Sequence, residues 1–595
     1  MPRENELIIK SRITRVGIAF LSITLIFAFL YSLRATEQTG AAISFAAQVK
    51  TGQDLFYAPH LLYMTIIQAC YLVFSNLFNY DIIGSGQIHS IIWAIVTLIS
   101  LYLLLRRLIG SVFGAFLAAL FTLVSHDFWV YSTQLEVYVP VMGCLTLLTA
   151  ILYLRCTTSC SMSHLIMLSG LWALSVFYHQ ANVIFIIPLG YYMISTQGKK
   201  GWSQLAIISV LSGTVVLSGY IIAFWSTNPG KTIEEFVKWT IALAQVPMTD
   251  WGTFVPWNIK VIKFAIISQF SVFEVLPEYF SNLWFFQKFG ILIIAFILLW
   301  NIVQYFRRVP EYNVRAFFLI WYVVYFLFFL RWDPRVHKFF IPTVIPLIVL
   351  GSAMLHDVLA PSRISKLIKI PAIGFICCFI IATFMCNLFS SILPIRNSLG
   401  APYYEAATLN ILSPKNCVIY SYGHNLETLV YYFDRSYSNR VSVRDLYTKF
   451  YNAATPQGIR NDRPFQNEGC TLISLAFLSP KFYNYKTNGY LNSVKWSDFI
   501  KWFFDVQYQS KGRSVTYNSF IEISYKDGPS YILIDRSRKV KADSVGKLFQ
   551  KIEFYIDKNK EKFGSRWFEA PSVLLENAEI NHSQKLIFGH GVPKP

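Results

Sequence analysis

Four groups of ionisable side chains stand where a strongly apolar sequence has little reason to carry them, and each could do chemistry. Glu37, Asp54 and His60 follow closely on the first apolar run. A carboxylate there can take a proton from a hydroxyl, and an acid or imidazole can hydrogen-bond hydroxyl groups. For Asp54 an ordinary solvated loop charge accounts for the residue equally well. Asp127, Glu136 and Tyr138 lie in the stretch SHDFWVYSTQLEVY (125–138). Glu136 stands at the mouth of a later apolar run, where a carboxylate also favours the positive end of a helix dipole. His179, in FYHQAN, closes another run, and a lone histidine there has a structural reading beside a functional one. The fourth group is RWDPRVHKFF (331–340), where Arg331, Arg335, His337 and Lys338 surround the single acid Asp333. Such a cluster asks for an anionic partner: a phosphate at headgroup depth is the simplest, and pairing with Asp333 is the alternative.

The elements that must position these groups are membrane helices. Of 595 residues, 54% are hydrophobic and 14% charged, a balance that excludes an ordinary soluble globular protein. A bilayer crossing needs about 20 apolar residues in helical form, and about eleven such runs are expected. They lie near 13–33, 85–105, 109–125, 134–155, 163–180, 181–196, 204–225, 288–306, 315–331, 337–354 and 371–393. The first reads as a retained anchor, since no small-residue cleavage site follows it. The segment 59–77 is apolar enough to cross, but counting it would put Arg106, Arg107, Lys199 and Lys200 opposite the basic N-terminus. An interfacial or re-entrant helix there gathers the basic residues on one cytoplasmic side.

That arrangement makes 1–394 a polytopic α-helical membrane domain with outer loops 34–84 and 226–287. Residues 395–595 are expected to form an extracytoplasmic, soluble α/β domain, because short β-rich runs there alternate with helical ones. The net charge of +19 is explained by topology rather than by a nucleic-acid partner, since the basic residues flank apolar runs. Nine scattered cysteines give no zinc spacing and no disulfide framework. Thr232, Glu234, Glu235, Lys238 and Trp239 around Phe236 and Val237 suit a helix lying in the membrane interface.

On its motifs the sequence resembles the C-class (GT-C) glycosyltransferases, and within them the protein O-mannosyltransferase-like family. FWVYSTQLEVY carries the family's F-W-…-E-V-Y pattern at Phe128, Trp129, Glu136, Val137 and Tyr138. RATEQTGAA is similar to its D-S-G-E-type motif after the first span, keeping the acid at Glu37 and small residues at Ala41 and Ala42, with Arg34 where the family has Asp. APHLLY (58–63) and FYHQANVIFIIPL (177–189) extend the likeness over residues 14–195.

The resemblance implies an inverting glycosyltransferase that takes sugar from a polyprenyl-phosphate donor at the outer membrane face. The acceptor class is left open among lipid, glycan and protein. It implies Glu37 as the base that activates the acceptor hydroxyl. Arg331, Arg335 and Lys338 would hold the carrier phosphate, and Asp54, His60, Asp127, Glu136, Tyr138 and His179 would bind substrate. It names no certain cofactor and leaves a divalent metal open. Two other readings fit the same residues: a transporter or flippase of a lipid-linked saccharide, and a non-catalytic envelope scaffold. With one Asn-x-Ser/Thr sequon (Asn581 to Ser583) and no retention signal, a bacterial inner membrane is the expected location.

Overall fold

The structure, a computed structural model, describes residues 21–156, 160–241, 259–273, 284–308, 311–332, 334, 336–359 and 366–397. Beyond these it describes 406, 409–410, 418–421, 423–434, 440–442, 470–474, 483–484, 489–490, 519–523 and 531–535. The chain divides into two compact units, Met1–Ser398 and Leu399–Pro595.

The first unit is helical. Helix α1 (Leu21–Ser32) leads through a short loop to α2 (Gly40–Thr51), α3 (Tyr63–Phe78) and α4 (Ile82–Ile109). There follow α5 (Val112–Val124), α6 (His126–Ser132), α7 (Tyr138–Arg155) and α8 (Met162–Tyr178). Next come α9 (Ile186–Gln197), α10 (Lys199–Thr227), α11 (Ile233–Thr240), α12 (Ile259–Ser271) and α13 (Trp284–Phe306). The unit closes with α14 (Tyr312–Trp332), α15 (Val344–Leu359), α16 (Lys366–Asn387) and α17 (Leu393–Asn397).

Among the described residues, 6 helices are long and apolar enough to cross a membrane, or 7 if the bent pair α5–α6 is one span. Helices α1, α3, α8 and the described part of α13 are apolar but shorter. The segment 181–196, expected as one span, is a 3-10 segment (Gln180–Phe185) that runs into the 12-residue α9. The chain is thus a polytopic helical membrane protein.

Local chemistry fixes the helix ends near the candidate residues. Asp81 caps α4 by accepting from the Gly84 N–H at 2.7 Å, and Gly110 ends it in a left-handed conformation. At 28 residues α4 is about 42 Å long, more than a bilayer core needs. Its N-terminal end carries buried Ser85, Gln87, His89 and Ser90 instead of apolar side chains. A Cβ at Gly86 would collide with Leu135, so this glycine lets the 133–137 segment lie directly on α4. Helix α11 is the amphipathic helix expected in the second outer loop, with a capping box between Thr232 and Glu235. Its Phe236 and Trp239 pack with Leu61, Phe177, Tyr220 and Ala223.

Among the described residues of the second unit, β1 (Val418–Ser421), α18 (Gly423–Phe433) and β2 (Arg440–Ser442) form a parallel β-α-β crossover. In the five-stranded sheet β1 lies between β2 and β3 (Cys470–Ser474), which is parallel to it, whereas β4 (Tyr483–Asn484) and β5 (Gly489–Tyr490) pair separately in antiparallel fashion. Strand β7 (Tyr531–Asp535) runs antiparallel to both β3 and β6 (Ser519–Ile523).

Candidate functional site

Between α5 and α6 the chain bends by 67°. A bend frees backbone groups that need partners when buried. The Asn387 amide supplies one, donating to the Val124 carbonyl at 2.8 Å and to the Phe273 carbonyl at 3.0 Å. The N–H groups of His126 and Asp127 donate in turn to the carbonyls of Phe273 (3.1 Å) and Val272 (3.0 Å). The His126–Asp127 backbone is therefore tied to the turn that follows α12, and Asn387 of α16 braces that turn against Val124.

The Asp127 carboxylate is fully buried and faces two imidazoles. His126 Nδ1 lies 2.8 Å from Oδ1, and His337 Nδ1 lies 2.8 Å from Oδ2. The other His126 nitrogen is 2.9 Å from Ser391 Oγ. Ser391 belongs to a π-helical turn, Leu388–Ile392, of the kind that recurs at functional sites. A buried carboxylate is costly without partners, and here both oxygens have one.

His337 opens the 3-10 segment His337–Thr343, which also carries Lys338. Lys338 Nζ lies 3.5 Å from Glu136 Oε1 and 5.4 Å above the Tyr138 ring. The Thr39 hydroxyl donates to the same Glu136 oxygen at 2.6 Å. Glu136 is 1% exposed, so this ion pair is removed from water. The Tyr138 ring in turn contacts His179 (5.8 Å between centroids), and His179 contacts His60 (4.9 Å). Tyr131 links the two halves, with its ring 6.0 Å from Tyr138 and 6.5 Å from His337.

The two outer histidines have defined roles. His60 Nδ1 faces the Tyr178 carbonyl at 2.9 Å, and a carbonyl only accepts, so Nδ1 carries the proton and Nε2 is an acceptor. His179 Nδ1 accepts from the Ala181 N–H at 3.2 Å, so its Nε2 is the donor. Burial pushes His60 down to about 4 and His179 well below the usual histidine range, and the Lys338 charge acts in the same direction. Both shifts favour the neutral rings, which stand side by side as one acceptor and one donor. That pairing suits hydroxyl groups better than anions.

The loop before α2 completes the group. Its Ala35 N–H donates to the Thr133 carbonyl (3.2 Å), the Leu135 N–H donates to Gln38 Oε1 (3.3 Å), and the Gln134 amide donates to the Glu37 carbonyl (3.2 Å). The Glu37 N–H donates to the Ile395 carbonyl at 2.8 Å. With its backbone so fixed, Glu37 keeps its carboxyl half-buried, and burial pushes it above the usual carboxylate range. Among the described residues no hydrogen bond or ion pair engages that carboxyl.

The structure therefore brings His60, Glu136, Tyr138, His179 and Lys338 together, joins Asp127 to them through His337 and Tyr131, and places Glu37 on the adjoining loop. Asp54 is not part of the group: it is exposed in the turn after α2, with left-handed backbone (φ 51°). Arg331 is half-buried in the last turn of α14. Arg335 and Asp333 lie outside the described residues. Arg34, the departure from the family motif, donates to the Tyr31 carbonyl and stacks on the Tyr31 ring at 3.9 Å. His126 and Tyr131 were not among the expected site residues, and His337 entered only as a member of the 331–340 cluster. Their signal in the sequence is the His-Asp pair that ends an apolar run and the His-Lys pair that begins one.

No protein-family model matches the sequence, and no curated protein is significantly similar to it. Among solved structures, the chain is similar to ArnT from Cupriavidus metallidurans bound to undecaprenyl phosphate (TM-score 0.50, 11% identity, 87% of this chain and 98% of that one). It is similar also to ArnT in the apo state (TM-score 0.51, 10% identity, 88% and 98%). A weaker likeness is to the oligosaccharyltransferase of Archaeoglobus fulgidus in the apo form (TM-score 0.48, 11% identity, 84% and 73%). At this identity the likeness to ArnT is one of fold, and these structural neighbours are GT-C glycosyltransferases.

Proposed function

We propose that this protein transfers a sugar from a polyprenyl-phosphate donor to an acceptor hydroxyl at the outer face of the membrane. The observation that carries this reading is the pairing of opposites in one site. A half-buried Glu37 carboxyl, with no hydrogen bond or ion pair among the described residues, stands on a loop laced to the 133–136 segment, whose Glu136 holds the buried cation Lys338. In the proposed step the acceptor hydroxyl gives its proton to Glu37 while its oxygen bonds to the anomeric carbon from the face opposite the phosphate. The carbon–oxygen bond to phosphate breaks, and its electron pair stays on the phosphate oxygen. Lys338, with Arg331 and Arg335 on the same segment of sequence, faces that growing charge. His60 and His179 hold sugar hydroxyls, and Tyr138 lies against them. A fold shared with ArnT, solved with undecaprenyl phosphate bound, supports the choice of donor. The motif likeness at 128–138 supports an O-mannosyltransferase-like relationship, with a lipid, glycan or protein as acceptor.

The test is purified protein in vesicles with a labelled polyprenyl-phosphate sugar and acceptors from a bacterial envelope. Transfer of label supports the reading. Movement of intact donor across the vesicle without transfer would replace it with transport, and neither outcome would leave a scaffold. Arg335→Ala is expected to raise KM as well as lower kcat, because a phosphate contact acts in ground state and transition state together. An unchanged KM would remove Arg335 from carrier binding.

We place the protein in a bacterial inner membrane with the second unit, as its own α/β domain, extracytoplasmic. The basic residues Arg106, Arg107, Lys199 and Lys200 then face the cytoplasm, as the positive-inside trend requires. Single cysteines at positions 199 and 450 should label from opposite sides of the membrane. Labelling from one side would reverse this topology.

A further inference from the structure

We infer that a cavity at the far ends of α7 and α14 from the candidate catalytic group binds the zwitterionic phosphoethanolamine headgroup of a membrane lipid. The cavity has a volume of about 360 Å³, and Arg107, Tyr153, Tyr192, Ser195, Thr196 and Glu311 line it. That volume is in the range of small-ligand pockets. Tyr138, in the candidate catalytic group, opens α7, whereas Tyr153 lies in its last turn, about 22 Å away along the axis. Helix α14 likewise begins beside Glu311 and carries Arg331 in its last turn. Both helices are long and apolar enough to span, so the cavity lies at the opposite face of the membrane. In the topology proposed above that face is the cytoplasmic one.

Two opposite charges line the cavity without neutralising each other. Among the described residues no ion pair joins Arg107 to Glu311. The Glu311 charge reaches the hydroxyls of both Tyr153 and Tyr192, and the Arg107 charge reaches that of Tyr153, so the two act on one space. The last turns of α4, α7 and α9 also converge there, and each helix end carries partial negative charge. Together with Glu311 they favour a cation, while the planar guanidinium of Arg107 favours a phosphate. Tyr192 is 3% exposed, and among the described residues its hydroxyl makes no hydrogen bond. A buried hydroxyl on a cavity wall calls for a polar partner. A primary ammonium donates to Glu311 and to the tyrosine oxygens, which a quaternary ammonium cannot do. Glu311 is fixed for this role, since its carbonyl accepts from the N–H groups of Val314 (2.9 Å) and Arg315 (3.1 Å).

The source of the headgroup follows from the surface beside it. Ile92, Ile99 and Leu103 are exposed and recur at helical spacing on the α4 face that ends in Arg107. A lipid whose phosphate sits at Arg107 lays its acyl chains along this apolar stripe, which a free headgroup would leave unused.

The experiment uses the full-length protein in mild detergent, titrated with short-chain phosphatidylethanolamine, phosphatidylcholine and phosphatidylglycerol, with bound lipid counted by native mass spectrometry. The wild type should bind phosphatidylethanolamine saturably and at least about tenfold more tightly than the other two, the factor that one charge-assisted hydrogen bond supplies. Glu311→Gln should erase that preference, and Arg107→Gln should weaken all three lipids by about tenfold. Both residues are exposed, so neither change opens a cavity in the core, which a melting curve checks. No saturable binding, equal affinity of the wild type for the three lipids, or variants that bind as the wild type does would overturn the site. Free phosphoethanolamine should bind far more weakly than the lipid, and equal binding would overturn the lipid as its source. Binding is read without sugar donor or acceptor, so its outcome is independent of the transfer proposed above.

Discussion

Glu37→Gln is expected to lower sugar transfer by about 10²–10⁴-fold, the range a general base supplies, while the protein stays folded and still binds the carrier lipid. Glutamine keeps the size of the side chain and one acceptor oxygen, so no cavity opens. The backbone bonds that fix the loop, to Ile395 and from Gln134, do not involve the carboxyl and survive the change. What disappears is the capacity to take a proton. The pH profile gives a second readout. Burial raises the Glu37 carboxyl above the usual carboxylate range, and a base works only when ionised. Activity should therefore rise as pH increases through that raised value, with its acid limb above the ordinary glutamate range, and this limb should vanish in the residual activity of Glu37→Gln. A boundary charge with no chemical role predicts the opposite: glutamine, being uncharged, would be tolerated at a half-buried position. Near-normal transfer by the variant would move the base elsewhere, and Asp127 and Glu136 are the acids at hand.

The residues of this site were legible in the sequence to unequal degrees, for physical reasons. Glu136 and Tyr138 stand out because a carboxylate beside an aromatic at the head of an apolar run is expensive unless it is used or paired. Lys338 stands out for the same reason. That Lys338 pairs with Glu136 is not legible, because no local pattern links two segments so distant in the chain; the contact exists only once the 3-10 segment His337–Thr343 packs on α7. The bend at Ser125 is equally silent. Sharp bends usually announce themselves by proline or glycine, and SHDFW has neither. Here the bend is held from outside, by Asn387 and the carbonyls of Val272 and Phe273. Without it His126 reads as the end of a span. Asp54 shows the converse: an acid in the same loop by sequence, set in an exposed turn beyond the end of α2. Helix ends leave a plainer local trace, although these were not read beforehand: Asp81, Gly110 and Ser161 are ordinary capping residues beside apolar runs. The 3-10 segment Gln180–Phe185 leaves none, because its composition continues the apolar pattern of α9.

Glu136→Gln is expected to destabilise the protein more than Glu37→Gln does, by about 3–5 kcal/mol, the cost of leaving one partner of a buried ion pair without the other. Glutamine still offers Thr39 an oxygen, so the hydroxyl contact at 2.6 Å can persist. The ammonium of Lys338 loses the Glu136 carboxylate, 3.5 Å away and 1% exposed, as a countercharge. Adding Lys338→Met should recover most of the lost stability, since a buried pair replaced by neutral side chains of similar volume is often no less stable than the pair itself. Transfer should not recover, because the cation that faces the departing phosphate is then gone. Thermal unfolding in mild detergent separates the two effects: the single variant melts lower, the double variant melts near the wild type, and both are inactive. A Glu136→Gln protein as stable as the wild type would mean that Lys338 finds its compensation elsewhere. A double variant that transferred sugar would remove Lys338 from the mechanism. The pattern expected is that of a pair kept for the charge it holds in readiness, since a buried lysine and glutamate add little to stability that two apolar side chains could not supply.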